Sequence, residues 1–303
     1  MRCKTLTLLL FQKTLAIQSQ INMRINTCLS KLILALFSVI CLLALMYSCN
    51  DADKNSSPKP SITDSTKEKL KTQENNLLNI IANNEDSLLP KENLIQFYRT
   101  NNQYDNAINA VNSYLSEDTN NIRLMHIKSI LLLEKADTLA SIANLEKTIN
   151  IYPSALDIIT LGAIYANQGN IKSIKLADVL LRDFNDIAEA EAYFIKGSYY
   201  SNTGDKKTAI AMFDNCINHT ITFMEAYREK ALALAALKKY NEALNALNKA
   251  LTLNNNYPEG YFYLGEILEK TNNTNAAIEA YQKALLYDTG YTEASNAFER
   301  LKK

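Results

Sequence analysis

The stretch YFYLGEILEKTNNTNAAIEAYQKA, residues 261–284, decides the fold because its pattern returns along the chain. Steps of 34 residues towards the N-terminus from Ile278 meet an aliphatic side chain every time, at Leu244, Ile210, Leu176, Ile142 and Ile108. The same steps from Tyr281 meet only apolar side chains, at Leu247, Phe213, Val179, Leu145 and Val111. The two columns are three residues apart, which places them on one face of a helix. Self-similarity at a fixed period of this length indicates an array of structural repeats.

The quoted stretch contains two helical segments, and each has counterparts in the two preceding periods. The first segment has an aromatic residue four positions before a Gly or Ala, and it begins at Tyr261, Tyr227 and Tyr193. The second has the pattern Ala-x3-apolar-x2-small, and it begins at Ala277, Ala243 and Ala209. Two asparagines separate the segments and break the helix. Each unit is therefore predicted to be a helix–turn–helix that buries its apolar face by stacking on the next unit.

These patterns resemble the tetratricopeptide repeat (TPR), whose first helix carries aromatic-x2-Leu-Gly-x2-Tyr and whose second carries Ala-x3-Phe. The resemblance covers residues 88–291 and implies an all-α fold, a right-handed α-solenoid of about six TPR helix-turn-helix units with a C-terminal capping helix. We place the units at 88–121, 122–154, 155–189, 190–223, 224–257 and 258–291. In the third unit, Leu161 and Gly162 lie one residue early, while the second helix stays in register. Its inter-helix turn should therefore hold one residue more, and the link near Pro153 one fewer.

The segments on either side of the repeats have distinct patterns. Residues 66–87 are predicted to form an N-terminal helix, which Ser65 and Glu68 open as a capping box. Residues 292–303 are predicted to form the capping helix, with an apolar face made by Ala294, Ala297, Phe298 and Leu301.

The first 48 residues are predicted to be a signal peptide. Residues 32–47 are an apolar run broken only by Ser38, which is shorter than the roughly 20 residues of a spanning helix. Arg24 and Lys31 precede the run, as the basic region of a signal peptide should. Met23 is a candidate for the true start, with residues 1–22 an upstream extension, and a long genuine leader is the alternative.

The end of this leader, Leu45-Met46-Tyr47-Ser48-Cys49, resembles a bacterial lipoprotein signal. The resemblance implies cleavage before Cys49, lipidation of its thiol, and a membrane-anchored lipoprotein of the bacterial cell envelope, on the periplasmic face or at the cell surface. Residues 49–65 would then be the lipidated cysteine and a flexible tether, since this stretch is too polar to bury a core. An ordinary secretory signal or an N-terminal membrane anchor remains open as the alternative.

Charge and composition exclude several functions. Beyond residue 48 the chain has 27 basic and 32 acidic residues, a net charge of −5, which gives no electrostatic reason to bind nucleic acid. The two histidines, His126 and His219, have no Cys or acidic cluster at metal-ligand spacing, and Cys216 occupies a small-residue packing position. No phosphate-binding loop or nucleophile motif is present. We therefore expect no enzyme, no cofactor, no metal and no small-molecule substrate.

A binding groove is the remaining expectation. In the TPR family the first helix of each repeat lines the inner surface, and the resemblance places Phe194, Arg228 and Phe262 there, one period apart. Two aromatic side chains beside an arginine are typical of binding hot spots. We predict a partner-binding groove that also contains Glu191, Glu225, Glu259, Ser198 and Glu266, lies outside the interhelix core and takes a partner segment with apolar and acidic residues. The alternative is that these are ordinary surface residues.

Together these features predict a lipid-anchored envelope protein that acts as a protein- or peptide-binding scaffold or adaptor near a membrane. The Lys/Asn clamp with which some family members bind C-terminal carboxylates is absent, which disfavours a chaperone-tail receptor. Two alternatives remain. One is a self-assembling structural or envelope-assembly factor, and the other is a soluble cytosolic adaptor in which the leader is not used.

Overall fold

The computed structural model describes residues 64–84 and 86–302, and in these ranges it contains fourteen α-helices and no β-strand. The prediction of an all-α fold is confirmed. The predicted signal peptide, Cys49 and the tether up to residue 63 lie outside the described residues. None of the described helices is both long enough and apolar enough to cross a membrane.

The chain divides into two compact units between Asn144 and Leu145. The first unit contains α1 (Asp64–Ala82), α2 (Leu88–Thr100), α3 (Tyr104–Glu117), α4 (Ile122–Glu134) and the beginning of α5 (Thr138–Ile151). The second unit contains the end of α5 and then α6 (Ala155–Asn167), α7 (Lys172–Asp183), α8 (Asn185–Thr203), α9 (Lys206–His219), α10 (Met224–Ala236), α11 (Tyr240–Leu253), α12 (Pro258–Lys270), α13 (Thr274–Tyr287) and α14 (Thr292–Leu301).

From α2 onward the helices form successive hairpins, and each hairpin turn contains one residue with a positive φ. Such a residue ends a helix by turning the backbone into the left-handed region. The six residues are Asn102 (57°), Ala136 (68°), Gly169 (64°), Gly204 (98°), Lys238 (59°) and Asn272 (60°). They are 34 residues apart except at Gly169, which lies one residue early. The turns therefore repeat with the same period as the apolar columns.

The third hairpin, α6 and α7, differs from the others as predicted. Its turn holds the four residues 168–171, whereas the turns before α3, α5, α11 and α13 hold three. The link before α6 holds the three residues 152–154, whereas the links before α4, α10, α12 and α14 hold four. The extra residue in the turn is thus offset by the shorter link, and α7 returns to the common register.

The two helices of a hairpin approach most closely where the first helix carries a glycine. At Gly265 in α12, an added Cβ would lie 2.6 Å from the Tyr281 ring of α13, and at Gly197 it would lie 2.6 Å from the Phe213 ring. Tyr281 and Phe213 are fully buried. The repeated glycine is therefore required by an aromatic ring that packs flat on the backbone of the first helix.

In the first unit, an apolar core forms between α2, α3 and α4 around Leu94, Val111 and Leu131. The N-terminal helix α1 begins at Asp64, and it packs Leu77 and Ile81 on this core. The buried Tyr98 of α2 donates a 2.5 Å hydrogen bond to a carboxylate oxygen of Glu74 in α1. These contacts hold α1 on the first hairpin.

The last helix, α14, covers the apolar end of the final hairpin. Ala294 and Ala297 are buried, and Phe298 and Leu301 pack on the cluster that contains Tyr281. Arg300 donates two 2.8 Å hydrogen bonds to the carboxylate of Glu269 in α12. A polar clamp and an apolar face therefore fix α14 on the repeat before it.

Candidate partner-binding groove

The eight predicted groove residues lie on the first helices of three consecutive hairpins, α8, α10 and α12. Neighbouring members of this set, α8 with α10 and α10 with α12, pack against each other. The helix α8 has a kink at Ala188, so its repeat helix begins after that residue. Residues at the same position of each hairpin therefore form short ladders across the three helices.

Phe194 is half-buried and belongs to the packing between hairpins. Its ring centroid lies 5.7 Å from that of Phe213 in α9 and 5.0 Å from that of Phe223, which precedes α10 and stacks on it. These spacings are those of favourable aromatic pairs. Phe194 thus supports the hairpin interface with one face of its ring.

Phe262 is also half-buried, and it lies in the last hairpin. Its ring contacts Tyr263 at 5.2 Å, Tyr281 at 5.8 Å and Tyr291 at 5.1 Å. The expectation that Phe194 and Phe262 lie outside the interhelix core is wrong, because both rings pack on buried aromatic side chains. Their removal would cost stability as well as contact surface.

Arg228 is the most enclosed of the three central residues, with 11% of its side chain exposed. Its Nε and Nη2 both donate to one carboxylate oxygen of Glu229, at 3.1 Å and 2.9 Å. Its guanidinium lies 5.8 Å from the centroid of the Tyr263 ring, within the range of a cation–π contact. Burial acts to lower the pKa of Arg228, but Tyr257 and Glu229 outweigh burial and raise it. The guanidinium is charged, and Glu229 balances that charge.

The predicted carboxylates occupy similar positions in different environments. Glu225 is buried, with 7% exposed, whereas Glu191, Glu259 and Glu266 are half-buried, as is Ser198. Glu191, Glu225 and Glu266 have interaction partners. Glu259 makes no hydrogen bond or ion pair with any residue that the structure describes. Glu259 is therefore the carboxylate that remains available to a partner.

The structure does not join the three central residues into one contact. Within residues 64–84 and 86–302, no ring contact or hydrogen bond links Phe194, Arg228 and Phe262 to one another. Each has its own aromatic neighbours, and those neighbours come mainly from the links before the next hairpin. The three residues form a row of separate positions and not a single pocket.

Sequence reasoning missed the aromatic residues in these links. Phe223, Tyr257 and Tyr291 precede α10, α12 and α14, and they are 34 residues apart. Tyr257 is 7% exposed, and its hydroxyl is buried without a hydrogen-bond partner among the described residues. The step that found the two apolar columns would also have found this column, had it been applied to the links.

The histidines and the buried cysteine have structural contacts. The ring of His219 stacks on Tyr193 at 5.4 Å, and its Nδ1 lies 3.2 Å from a carboxylate oxygen of Glu189. Cys216 is fully buried in the core of the second unit. In the described part of the chain, no group of three or more His, Cys, Asp or Glu side chains could hold a metal ion.

Comparison with protein families confirms the repeat type. A tetratricopeptide repeat model matches residues 190–218 and another matches 258–291, and a TPR repeat model matches 231–272. The TPR repeat-containing protein MJ0940 of Methanocaldococcus jannaschii is 30% identical over 105 residues, which are 35% of this chain and 33% of that protein. The chain thus aligns with only a third of that relative's length.

Solved structures confirm the fold. A tetratricopeptide repeat protein from Parabacteroides merdae is similar with a TM-score of 0.64 at 17% identity, covering 79% of this chain and 94% of that one. PilW, described as a type IV pilus biogenesis factor, is similar with a TM-score of 0.58 at 18% identity, covering 70% of this chain and 97% of that one. Likeness at this identity concerns the fold, and it confirms the prediction of a TPR α-solenoid.

Proposed function

We propose that these tetratricopeptide repeats are a protein- or peptide-binding scaffold, held near a membrane by lipid on Cys49. The observation that carries the proposal is the row of first-helix residues on α8, α10 and α12. Arg228 and Glu259 present polar groups there, and the half-buried Phe194 and Phe262 rings present apolar surface. Stacked repeats use such extended surfaces to bind partners.

The proposed chemistry is binding without catalysis. Repeat scaffolds of this kind generally act by holding other proteins, and the described helices are accounted for by hairpins, the N-terminal helix and α14. A partner segment would cover the exposed faces of Phe194 and Phe262 and would take hydrogen bonds from the row of polar groups. Aromatic residues next to an arginine are the side chains that most often dominate binding energy.

The membrane part of the proposal rests on the sequence of the leader. The apolar run before Cys49 and the polar tether after it support a lipoprotein of the bacterial cell envelope. Two or more acyl chains anchor a protein stably, whereas one does so only marginally. A scaffold on a tether would then search the space just above the membrane surface for its partner.

The test of the proposed function is capture of a partner from membrane extract by the immobilised full chain, with mass spectrometry as the readout. In the groove variant, Ser198→Arg and Glu266→Arg add bulk and positive charge to the first-helix surface. The matched control carries Asn245→Arg and Glu279→Arg, which make the same charge change at exposed positions of α11 and α13. We expect the groove variant to lose the partners that the wild type and the control both retain.

Equal capture by both variants would contradict the groove. Self-association of the purified wild type, detected by cross-linking without extract, would instead support the assembly-factor alternative. A chain that stays in the soluble fraction with its leader intact would support the cytosolic adaptor. The three outcomes therefore separate the candidate functions.

A further inference from the structure

The first turns of α10, α12 and α14 form one acidic edge of the second unit. Glu225, Glu259 and Glu293 occupy the same position of successive helices, and Glu229 lies one turn further along α10. We call these four residues the acidic edge. A carboxylate in the first turn stabilises its own helix by about 0.3–1 kcal/mol through the helix dipole, so position alone does not make it a binding site.

The one guanidinium within the acidic edge does not neutralise it. Arg228 is paired with Glu229 through a single carboxylate oxygen, and it lies over the Tyr263 ring. Glu225, Glu259 and Glu293 remain, and neither Glu259 nor Glu293 has a hydrogen bond or an ion pair with a described residue. A partner segment therefore meets negative charge at this edge, which reverses the expectation of an acidic partner that Arg228 suggested from sequence.

A second observation independently points to a ligand at the edge. The Tyr257 side chain is more than nine-tenths buried, and its hydroxyl has no partner among the described residues. It lies within electrostatic range of Arg228, Glu225 and Glu259. A buried polar group without a partner costs about 1–3 kcal/mol, so a hydrogen-bond donor brought to this edge would relieve a strain that the folded chain carries alone.

Aromatic rings add affinity for a cation at the same place. Tyr263, Phe262 and Tyr291 surround the start of α14, and Tyr291 contacts Phe262 at 5.1 Å. The pKa of Tyr291 is raised mainly by burial and further by Glu259 and Glu293, which is consistent with negative potential around its ring. Ammonium and guanidinium groups bind such ring faces, with about 0.5–1 kcal/mol at exposed sites.

The distribution of the carboxylates selects the class of cation. They lie on separate helices, and no described group of three or more acidic side chains converges as a metal site. Packed helices are about 8–10 Å apart, and an extended chain advances about 3.3–3.6 Å per residue. Neighbouring carboxylates are therefore matched by basic side chains at about every third residue of an extended peptide.

We propose that the acidic edge of α10, α12 and α14 binds an extended segment of the partner that carries lysine or arginine at about every third position. This inference rests on the proposed scaffold function and names the chemistry of its partner. Glu259 and Glu293 form the outer ion pairs, and the Tyr263 and Tyr291 rings receive the apolar stems and charged heads of the basic side chains.

The test is fluorescence anisotropy with the full chain and a labelled peptide of about nine residues, with lysine at every third position and serine elsewhere. Glu259→Gln with Glu293→Gln should weaken binding about tenfold, the effect of losing two partly exposed ion pairs. The matched control is Glu279→Gln with Glu299→Gln, which makes the same charge change at exposed positions away from the edge. The control should bind within about twofold of the wild type.

Three results would overturn the inference. They are absence of saturable binding of the lysine peptide at low salt, equal binding of a glutamate peptide of the same spacing, and equal weakening by the control. If Ser198→Arg with Glu266→Arg still abolishes capture from membrane extract in any of these cases, the scaffold function stands and only the basic partner is wrong. If capture itself is unaffected by the groove variant, the scaffold proposal fails separately.

Discussion

Replacement of Gly265 by alanine tests the packing that defines the repeats. The new Cβ would lie 2.6, 2.8 and 2.9 Å from three carbon atoms of the Tyr281 ring. Carbon atoms pack best at about 3.5–4.0 Å, so the ring or the helix must shift by about 1 Å. Tyr281 has little freedom to shift, because it is fully buried and its hydroxyl donates to Glu269, which Arg300 holds in turn.

Two opposing effects set the magnitude. Alanine is favoured over glycine in a helix by about 1 kcal/mol, while overpacking a fixed core costs about 1–3 kcal/mol. Because the clash is with a clamped ring, overpacking should dominate, and we expect a net loss of about 1–2 kcal/mol. Repeat arrays transmit such losses mainly to neighbouring units, so the loss should centre on α12, α13 and α14.

The same substitution at Gly162 is the matched control. There an added Cβ would lie 3.0 Å from Cδ1 of Ile195, the far end of a flexible side chain. That methyl group can move, so Gly162→Ala should leave stability unchanged or raise it by about 0.5–1 kcal/mol. Urea unfolding followed by circular dichroism measures both variants, and hydrogen exchange locates the affected helices.

A double variant removes the ambiguity of a single loss. Tyr281→Leu deletes the ring, so Gly265→Ala should cost much less in that background, with a coupling energy of about 1 kcal/mol or more. Additive effects, or a Gly265→Ala variant as stable as Gly162→Ala, would refute the argument that the ring requires the glycine. Loss of protection spread evenly over the chain would refute its assignment to the last hairpin.

Three further predictions concern other parts of the chain. Cys49→Ala should move the protein out of the membrane fraction or leave it unprocessed, which fractionation and intact mass of the mature chain would show. Burial, followed by the hydrogen bond to Glu74, raises the pKa of Tyr98 from 10.0 to about 12. The unfolded chain ionises first, so stability should fall as pH rises from about 10 to 12, and Tyr98→Phe should flatten this slope in pH-dependent unfolding. The hydrogen bond from Arg300 lowers the pKa of Glu269, so its contribution should be lost as pH falls below 4.5, and Glu269→Gln should raise hydrogen exchange in α14 at neutral pH.

The helical array was predictable because its evidence is local and repeated. The columns through Ile278 and Tyr281 specify the second helices, and the glycine at 265 and its counterparts specify the first. The shift of Leu161 and Gly162 by one residue was enough to predict the longer turn of the third hairpin. Each of these signals depends on spacing along the chain, which the sequence displays directly.

The candidate site was less predictable because it depends on side chains from different hairpins. Arg228 reads as an exposed charge when only its own helix is considered, yet Glu229 and Tyr263 enclose it. Phe194 and Phe262 read as free aromatic residues, yet rings from the adjacent links and second helices cover them in part. Burial of this kind follows from how hairpins stack, and a pattern within one helix does not contain it.

The exchange of one residue between the link before α6 and the turn after it has a consequence for how the array changes in evolution. A lone insertion in one hairpin would rotate every later helix out of phase with the face on which it packs. Here the gain in the turn is cancelled by the loss in the link, and the later hairpins keep their spacing. Length changes in such an array are therefore expected in compensating pairs within a single repeat, so that an irregular unit is inherited as a whole and its neighbours vary independently.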